Sequence, residues 1–172
     1  KDHATQQCNV YHQNAIENSQ SEARKALARY IHYFTRYQAH SQSLELEHKL
    51  IDRVEHRKKE MEAEAMSHSE QQAVQDAFEV LQRCRRTLMY TYAFTYYLEQ
   101  NNQSEIFEQN QADLERVTEG LSELLEHEDD VTQNIGVKLR DKAHYCDQRR
   151  KILLSHCKDG YSTHEWKGLD PY

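Results

Sequence analysis

Apolar side chains recur every three or four residues between Ser19 and Met66. Ser19 with Glu22 forms a capping-box pattern, and the spacing that follows predicts an amphipathic helix with one buried face. A bend is predicted at 40–43, so the segment is either one very long helix or two nearly collinear helices. Its apolar positions are Ala23, Ala26, Leu27, Tyr30, Phe34 and Tyr37, followed by Leu46, Leu50, Val54 and Met61.

Three further helices are predicted after this segment. Ser67 with Glu70 forms a second capping-box pattern, and Ser104 is predicted to begin the next helix. The acidic run 128–130 favours the N-terminus of the last helix because it complements the helix dipole. The stretch 87–98 is apolar on nearly all sides, which predicts a buried central helix; the alternative is that part of it forms a binding surface. The polar side chains expected to bind its tyrosine hydroxyls are Asn101, Asn102, Asn110, Gln111 and Asp113.

Glycine and proline are almost absent from the chain. The first glycine is Gly120 and the only proline is Pro171. Because turns and β-hairpins depend on these residues, the sequence predicts an all-α fold, an antiparallel bundle of four to five long helices. The same absence excludes Gly-rich phosphate loops and Rossmann-type nucleotide sites. Gly160 is predicted to end the last helix in a left-handed conformation.

Length and charge restrict the classes of partner. The 172 residues fit one domain, and the net charge of −7 argues against nucleic acid as the main partner. The basic cluster within 138–151 is interpreted as the solvated face of a late helix. No apolar run approaches about 18 residues, so no membrane partner is expected. The chain does not begin with Met, which is typical of an excised fragment.

The cysteine and histidine spacings do not predict a complete metal site. Histidines recur every eight residues, but eight residues advance the helical azimuth by about 80° beyond two turns, so the imidazoles spread around the helix. We interpret them as scattered surface and boundary residues, namely His32, His40, His48 and His56. Without short spacings, the cysteines are expected to be reduced and partly buried. This expectation applies to Cys84, Cys146 and Cys157, whereas Cys8, the first of the four cysteines, lies in the lead-in.

A metal-dependent helical enzyme was weighed as a further hypothesis. Glu45-x-x-His48 is similar to the ligand element of di-iron bundles, and Asp141-x-x-His144 is a weak counterpart. Ligands of such a site must face the core, whereas both pairs point away from the apolar face of their predicted helices. The absence of stoichiometric iron or zinc in an elemental analysis would remove this hypothesis.

The stretch from Cys84 to Glu115, CRRTLMYTYAFTYYLEQNNQSEIFEQNQADLE, resembles the signature of the Ariadne domain. This is the C-terminal helical domain of Ariadne-type RING-between-RING ubiquitin ligases. Further similar stretches are 26–37, 42–50 and 141–154, and the resemblance covers about Ser21 to Tyr161. It implies three parts: a lead-in at 1–17 that is a remnant of the preceding catalytic RING-like module, the Ariadne helical domain at 18–160 and a C-terminal tail at 161–172.

The lead-in is similar to the end of that catalytic module. Cys8-Asn9-Val10-Tyr11 resembles its final Cys-Asn-x-Tyr sequence, so the resemblance implies that His3 and Cys8 are remnants of a zinc site. Two ligands do not close a tetrahedral site, so no cofactor is expected in this fragment, although zinc is expected in the full-length ligase. The resemblance also implies that the catalytic cysteine lies outside this chain, which by itself is not an enzyme and has no catalytic residue.

The resemblance implies a regulatory, autoinhibitory role. In this family the domain packs over the catalytic cysteine until an activator such as a neddylated cullin–RING complex releases it. The family's contact positions align with Leu46, Glu47 and Glu119, where Leu46 replaces an aromatic residue. The implied partners are the catalytic module of the same ligase, neddylated cullin–RING complexes and ubiquitin-conjugating enzymes, in the cytoplasm or nucleus. The alternative is a helical interaction scaffold that recruits another protein independently of autoinhibition.

Overall fold

Five long helices make up the computed structural model, which describes residues 22–63, 68–126 and 135–167. Their bounds are α1 Glu22–Glu45, α2 Glu47–Ala63, α3 His68–Tyr97, α4 Asn102–Glu126 and α5 Ile135–Ser162. The described ranges contain no strand, so the prediction of an all-α bundle is confirmed. No helix within them is both long and apolar enough to cross a membrane.

The directions of α1, α4 and α5 follow from their contacts with α3. Arg29, near the start of α1, donates hydrogen bonds to the carbonyl oxygens of Thr95 (3.2 Å), Tyr96 (3.1 Å) and Leu98 (2.5 Å). The last carbonyls of a helix have no intrahelical N–H partner, and that of Thr95 accepts from the N–H of Leu98 (3.2 Å) just beyond α3. Arg29 therefore caps the C-terminus of α3 and places α1 antiparallel to it. The buried bond from Arg85 to Ser122 (2.7 Å) likewise joins α3 to an antiparallel α4.

α3 is the central helix of the bundle. It is buried along most of its length, whereas α2 buries only Val54 and Met61 among its described side chains. α5 runs parallel to α3: a Cβ at Gly136 would meet Glu70, so both helices start at the same end. The largest fully buried side chains of α3, α4 and α5 are Leu81, Leu88, Tyr92, Phe107, Leu114, Leu121, Ile135, Leu139 and Leu153.

The first long segment is two helices that meet at Leu46. The backbone N–H of Leu46 still bonds to the carbonyl of Gln42 (2.9 Å), but the next bond closes a tighter turn, from the N–H of Lys49 to the carbonyl of Leu46 (3.1 Å). Such a three-residue step is how an α-helix tightens locally. The bend predicted at 40–43 is therefore wrong in position, since α1 continues through these residues.

Asn101, rather than Ser104, begins α4. The side-chain oxygen of Asn101 accepts hydrogen bonds from the backbone N–H groups of Gln103 and Ser104, both at 2.9 Å. The Ser104 hydroxyl in turn accepts from the N–H of Asn101 (2.9 Å). Ser104 thus occupies the N3 position of a reciprocal cap. The other predicted helix starts, at Ser19, Ser67 and 128–130, lie outside the described residues.

The end of α5 is built around Trp166. The helix continues through Gly160 to Ser162, and the left-handed residue is His164, with a φ of 58°. The prediction that Gly160 terminates the helix is therefore wrong. Gly160 is instead required because the indole of Trp166 lies against its Cα, where a side chain would collide with the ring.

Candidate functional site

Buried polar contacts join α1 to α3 and α4. The Tyr33 hydroxyl donates to Glu108 (2.7 Å), the Tyr92 hydroxyl donates to Glu115 (2.7 Å), and His40 Nε2 lies 3.4 Å from the other Glu115 oxygen. The ring of His40 also stacks on that of Tyr92, with centroids 5.8 Å apart. These contacts fix the axial position of α1 relative to α4. The two helices run in the same direction because each is antiparallel to α3.

The polar cluster favours an ionised Glu115. Burial by itself would raise the pKa of Glu115, but the close contact with His40, the hydrogen bond from Tyr92 and the positive charge of Arg36 outweigh it and lower the pKa. Sequence analysis missed this cluster. Its interpretation of the histidines as surface and boundary residues is wrong for His40, which is only 3% exposed. The partners predicted for the tyrosine hydroxyls were also wrong for Tyr92, whose hydroxyl binds a carboxylate instead.

The predicted contact residues lie beside this cluster. Leu46 sits at the junction of α1 and α2 with 53% of its surface exposed, and Glu119 is exposed on α4, one turn beyond Glu115. Counting from the His40–Glu115 contact, Leu46 lies about 9 Å and Glu119 about 6 Å further along parallel helices. Both residues are therefore at similar heights in the bundle. Glu47 begins α2, and its side chain is outside the described part of the structure.

α1 exposes the face that its pattern predicted to be buried. Leu27, Tyr30 and Phe34 are 57%, 45% and 43% exposed, and Ile31 adds 52%. The Tyr30 ring stacks on Phe34 with centroids 5.2 Å apart. We call Leu27, Tyr30, Ile31 and Phe34 the α1 stripe. The predicted buried face of α1 is wrong at these positions because the helix buries Tyr33 and His40 against α3 and α4 instead.

The described cysteines are unsuited to nucleophilic chemistry. Burial raises the pKa of Cys84 to about 12 and those of Cys146 and Cys157 to about 11. The reactive form of cysteine is the thiolate, which these values disfavour at neutral pH. Cys8 lies outside the described residues.

The described residues do not assemble a metal site. No group of three or more His, Cys, Asp or Glu side chains in these ranges could hold an ion. Asp141 and His144 are exposed on α5. The side chain of His48 and the predicted zinc remnants His3 and Cys8 are outside the described part of the chain.

Comparison with known proteins decides the family. The family model of the Ariadne domain matches residues 28–161. The chain belongs to the Ariadne domain family. The resemblance drawn from 84–115 is thereby confirmed. The described part of this Ariadne domain thus comprises the helical bundle, the buried polar cluster and the exposed α1 stripe.

Curated relatives of this Ariadne domain are ubiquitin ligases by name. It is 46% identical to the human E3 ubiquitin-protein ligase ARIH1 over 168 residues, which cover 95% of this chain and 30% of that protein. It is 44% identical to the Drosophila melanogaster E3 ubiquitin-protein ligase ariadne-1 over 167 residues, which cover 93% of this chain and 33% of that protein. The Caenorhabditis elegans E3 ubiquitin-protein ligase ari-1.1 is 43% identical over 164 residues. The chain spans about a third of the length of these relatives.

Proposed function

We propose that this Ariadne domain is the autoinhibitory and protein-interaction domain of a RING-between-RING ubiquitin ligase. In this proposal it packs over the catalytic cysteine of the preceding RING-like module until an activator, such as a neddylated cullin–RING complex, releases it. The longer ligase would accept ubiquitin from a ubiquitin-conjugating enzyme, contain zinc in its RING-like modules, and act in the cytoplasm or nucleus. The names of the relatives support the ligase context.

The observation that supports the proposal is that Leu46 and Glu119 are both exposed and lie at similar positions along parallel helices. An exposed leucine and an exposed carboxylate offer contact area and a negative charge to a neighbouring module. The buried His40–Glu115 contact keeps this arrangement rigid because it anchors α1 to α4 just before both residues. A rigid face loses little conformational entropy on docking.

The α1 stripe supports docking of the adjacent module. α1 begins at Glu22, a few residues after 1–17, the lead-in that resembles the end of the catalytic module. A module tethered at that point has a high effective concentration at the stripe, so that even a weak contact is populated. Burying exposed residues such as Leu27 and Ile31 would then contribute through the hydrophobic effect.

Charge and access provide the inhibitory mechanism. A carboxylate held near a thiol raises the thiol pKa and so lowers the thiolate fraction. Covering the cysteine also blocks a ubiquitin-loaded conjugating enzyme. An activator that shifts a 99% closed ligase to 99% open must favour the open state by about 5.5 kcal/mol.

The test removes the two acidic contacts in the longer ligase. We expect Glu47→Ala with Glu119→Ala to accelerate ubiquitin ligation, and alkylation of the catalytic cysteine, about tenfold if the two contacts together contribute about 1.4 kcal/mol. The matched control is Glu99→Ala with Glu165→Ala. It also removes two exposed carboxylates, but at the C-terminal end of α3, where Glu99 N–H bonds to the Lys167 carbonyl.

Two results would contradict different parts of the proposal. Unchanged rates in the Glu47 and Glu119 variant would reject the assignment of these residues. Unchanged rates after deletion of the whole domain, or no inhibition when the domain is added in excess to the isolated catalytic module, would reject autoinhibition itself.

The α1 stripe also favours the second candidate, an interaction scaffold. In that case the stripe binds another protein and ligase activity does not depend on it. Leu27→Ser with Ile31→Ser would then abolish a pull-down partner and leave ligation rates unchanged. The autoinhibitory proposal predicts faster ligation from the same variant.

A further inference from the structure

A groove of about 860 Å³ runs between α3 and α5, apart from the predicted autoinhibitory face. The α3 side extends from Arg83 to Phe94 and the α5 side from Arg150 to Ser162. Three large side chains on its walls are exposed, with Tyr90 at 61%, Leu154 at 41% and Tyr161 at 65%. These exposed apolar side chains are grouped in one groove instead of being scattered over the surface, and such grouping is typical of a binding site.

The groove is basic although the chain is acidic. Its twelve lining residues include four cationic side chains and no carboxylate, whereas the whole chain carries a net charge of −7. Arg150 is paired with Asp147 (2.8 Å), and Arg83 lies 4.0 Å from Glu79. Arg86 and Lys158 are exposed and form no ion pair within the described ranges. Two positive charges are therefore available to a ligand beside an apolar floor.

We propose that this groove binds an acidic amphipathic helix of a partner protein. The α3 side of the groove, from Arg83 to Phe94, is about 16 Å long, which matches about three helical turns. A helix with apolar residues at i, i+3, i+4 and i+7 would place them over Phe94, Leu154 and Cys157. Its flanking Asp or Glu side chains would meet Arg86 and Lys158. This proposal does not depend on autoinhibition.

The floor of the groove distinguishes this occupant from a phosphate-bearing ligand. Phe94 packs against Phe107 (centroids 5.3 Å apart) and Trp166 (5.6 Å), so this part of the groove is a rigid aromatic surface. Such a surface favours aliphatic and aromatic side chains, and Arg86 and Lys158, which also line the groove, are exposed to solvent. A site for a bare phosphate would instead direct its donors to one point.

The probe is a fluorescein-labelled peptide of about 14 residues that forms a helix with Leu and Phe on one face, Glu on the other and no Trp. We expect saturable binding to the 172-residue chain in fluorescence polarisation, weakening severalfold between about 50 and 300 mM NaCl. Because Trp166 is the only tryptophan and packs against Phe94, its emission should change during the titration.

Variants locate the binding site. Arg86→Glu with Lys158→Glu should weaken binding at least tenfold, and Leu154→Asn should do so without a change of charge. The matched control, Arg24→Glu with Lys49→Glu, reverses two exposed cations of α1 and α2 and should bind like the parent chain. A peptide with Lys in place of Glu should not bind.

Four outcomes would overturn the proposal. The first is that the acidic peptide does not bind, and the second is that the groove and control variants lose equal peptide affinity. The third is tighter, Arg86-dependent binding to vesicles containing phosphatidylserine, which would indicate a membrane surface. The fourth is a dimer in sedimentation that Leu154→Asn dissociates, because the occupant would then be a second copy of this chain.

Discussion

Gly160→Ala should destabilise the domain even though Gly160 lies in a helix. Alanine normally stabilises a helical position by up to about 1 kcal/mol relative to glycine. Here the new Cβ would lie 2.5 Å from Nε1 and 2.7 Å from Cζ2 of Trp166. Because an indole ring is rigid and has no flexible end that could rotate aside, the whole Trp166 side chain must move away.

The magnitude follows from what Trp166 contributes in place. Its Nε1–H donates to the Cys157 carbonyl (2.9 Å), and its ring packs on Phe94, Phe107 and His156. Losing one such hydrogen bond costs about 1 kcal/mol. Removing a buried tryptophan altogether costs about 3–5 kcal/mol. With part of the packing retained and the helical gain subtracted, we expect a net loss of about 2 kcal/mol, or about 4–8 °C in Tm.

Urea denaturation of five chains tests this reasoning: the parent, Gly160→Ala, Trp166→Ala, the variant with both changes, and Gly120→Ala. In the Trp166→Ala background the obstacle is gone, so Gly160→Ala should become neutral or stabilising by up to about 1 kcal/mol. Gly120→Ala is the matched control, because a Cβ there meets only the end of the flexible Lys142 side chain, and it should stabilise the parent. A stabilising effect of Gly160→Ala in the parent chain would refute the proposed collision.

Three further predictions concern caps, charge and thiols. Asn101→Ala should cost about 1 kcal/mol in urea denaturation because it removes the N-cap of α4, and Asn101→Asp should retain most of the stability. Because the pKa of Glu115 is lowered from 4.5, its ionised form stabilises the fold above about pH 4.5, and this contribution is lost as the pH falls further. Glu115→Gln should therefore reduce stability at pH 7 and flatten the acid side of the stability–pH curve; an unchanged curve would contradict this. Cys84, with its pKa raised to about 12 by burial, should react with a thiol reagent at pH 8 only on unfolding, and rapid native labelling would exclude the buried placement.

The long helices could be predicted from the sequence because their causes are local. The absence of glycine before Gly120 and the apolar spacing along α3 act within a few residues of each position, so the fold class followed from them. The family signature at 84–115 is also a property of contiguous sequence. The prediction that Ser104 begins α4 is wrong because Asn and Ser both cap helices and only the contacts of Asn101 with the N–H groups of Gln103 and Ser104 distinguish the two positions.

Only the tertiary structure determined which face of α1 is buried. Leu27 and Phe34 have the more apolar side chains, yet Tyr33 and His40 are buried because Glu108 and Glu115 approach them from α4. Tyr33 and Glu108 are 75 residues apart in sequence, as are His40 and Glu115, so no local pattern reveals these contacts. Composition and periodicity therefore determined that the chain forms long helices, and the complementarity of distant side chains determined how those helices pack and which surfaces they leave exposed.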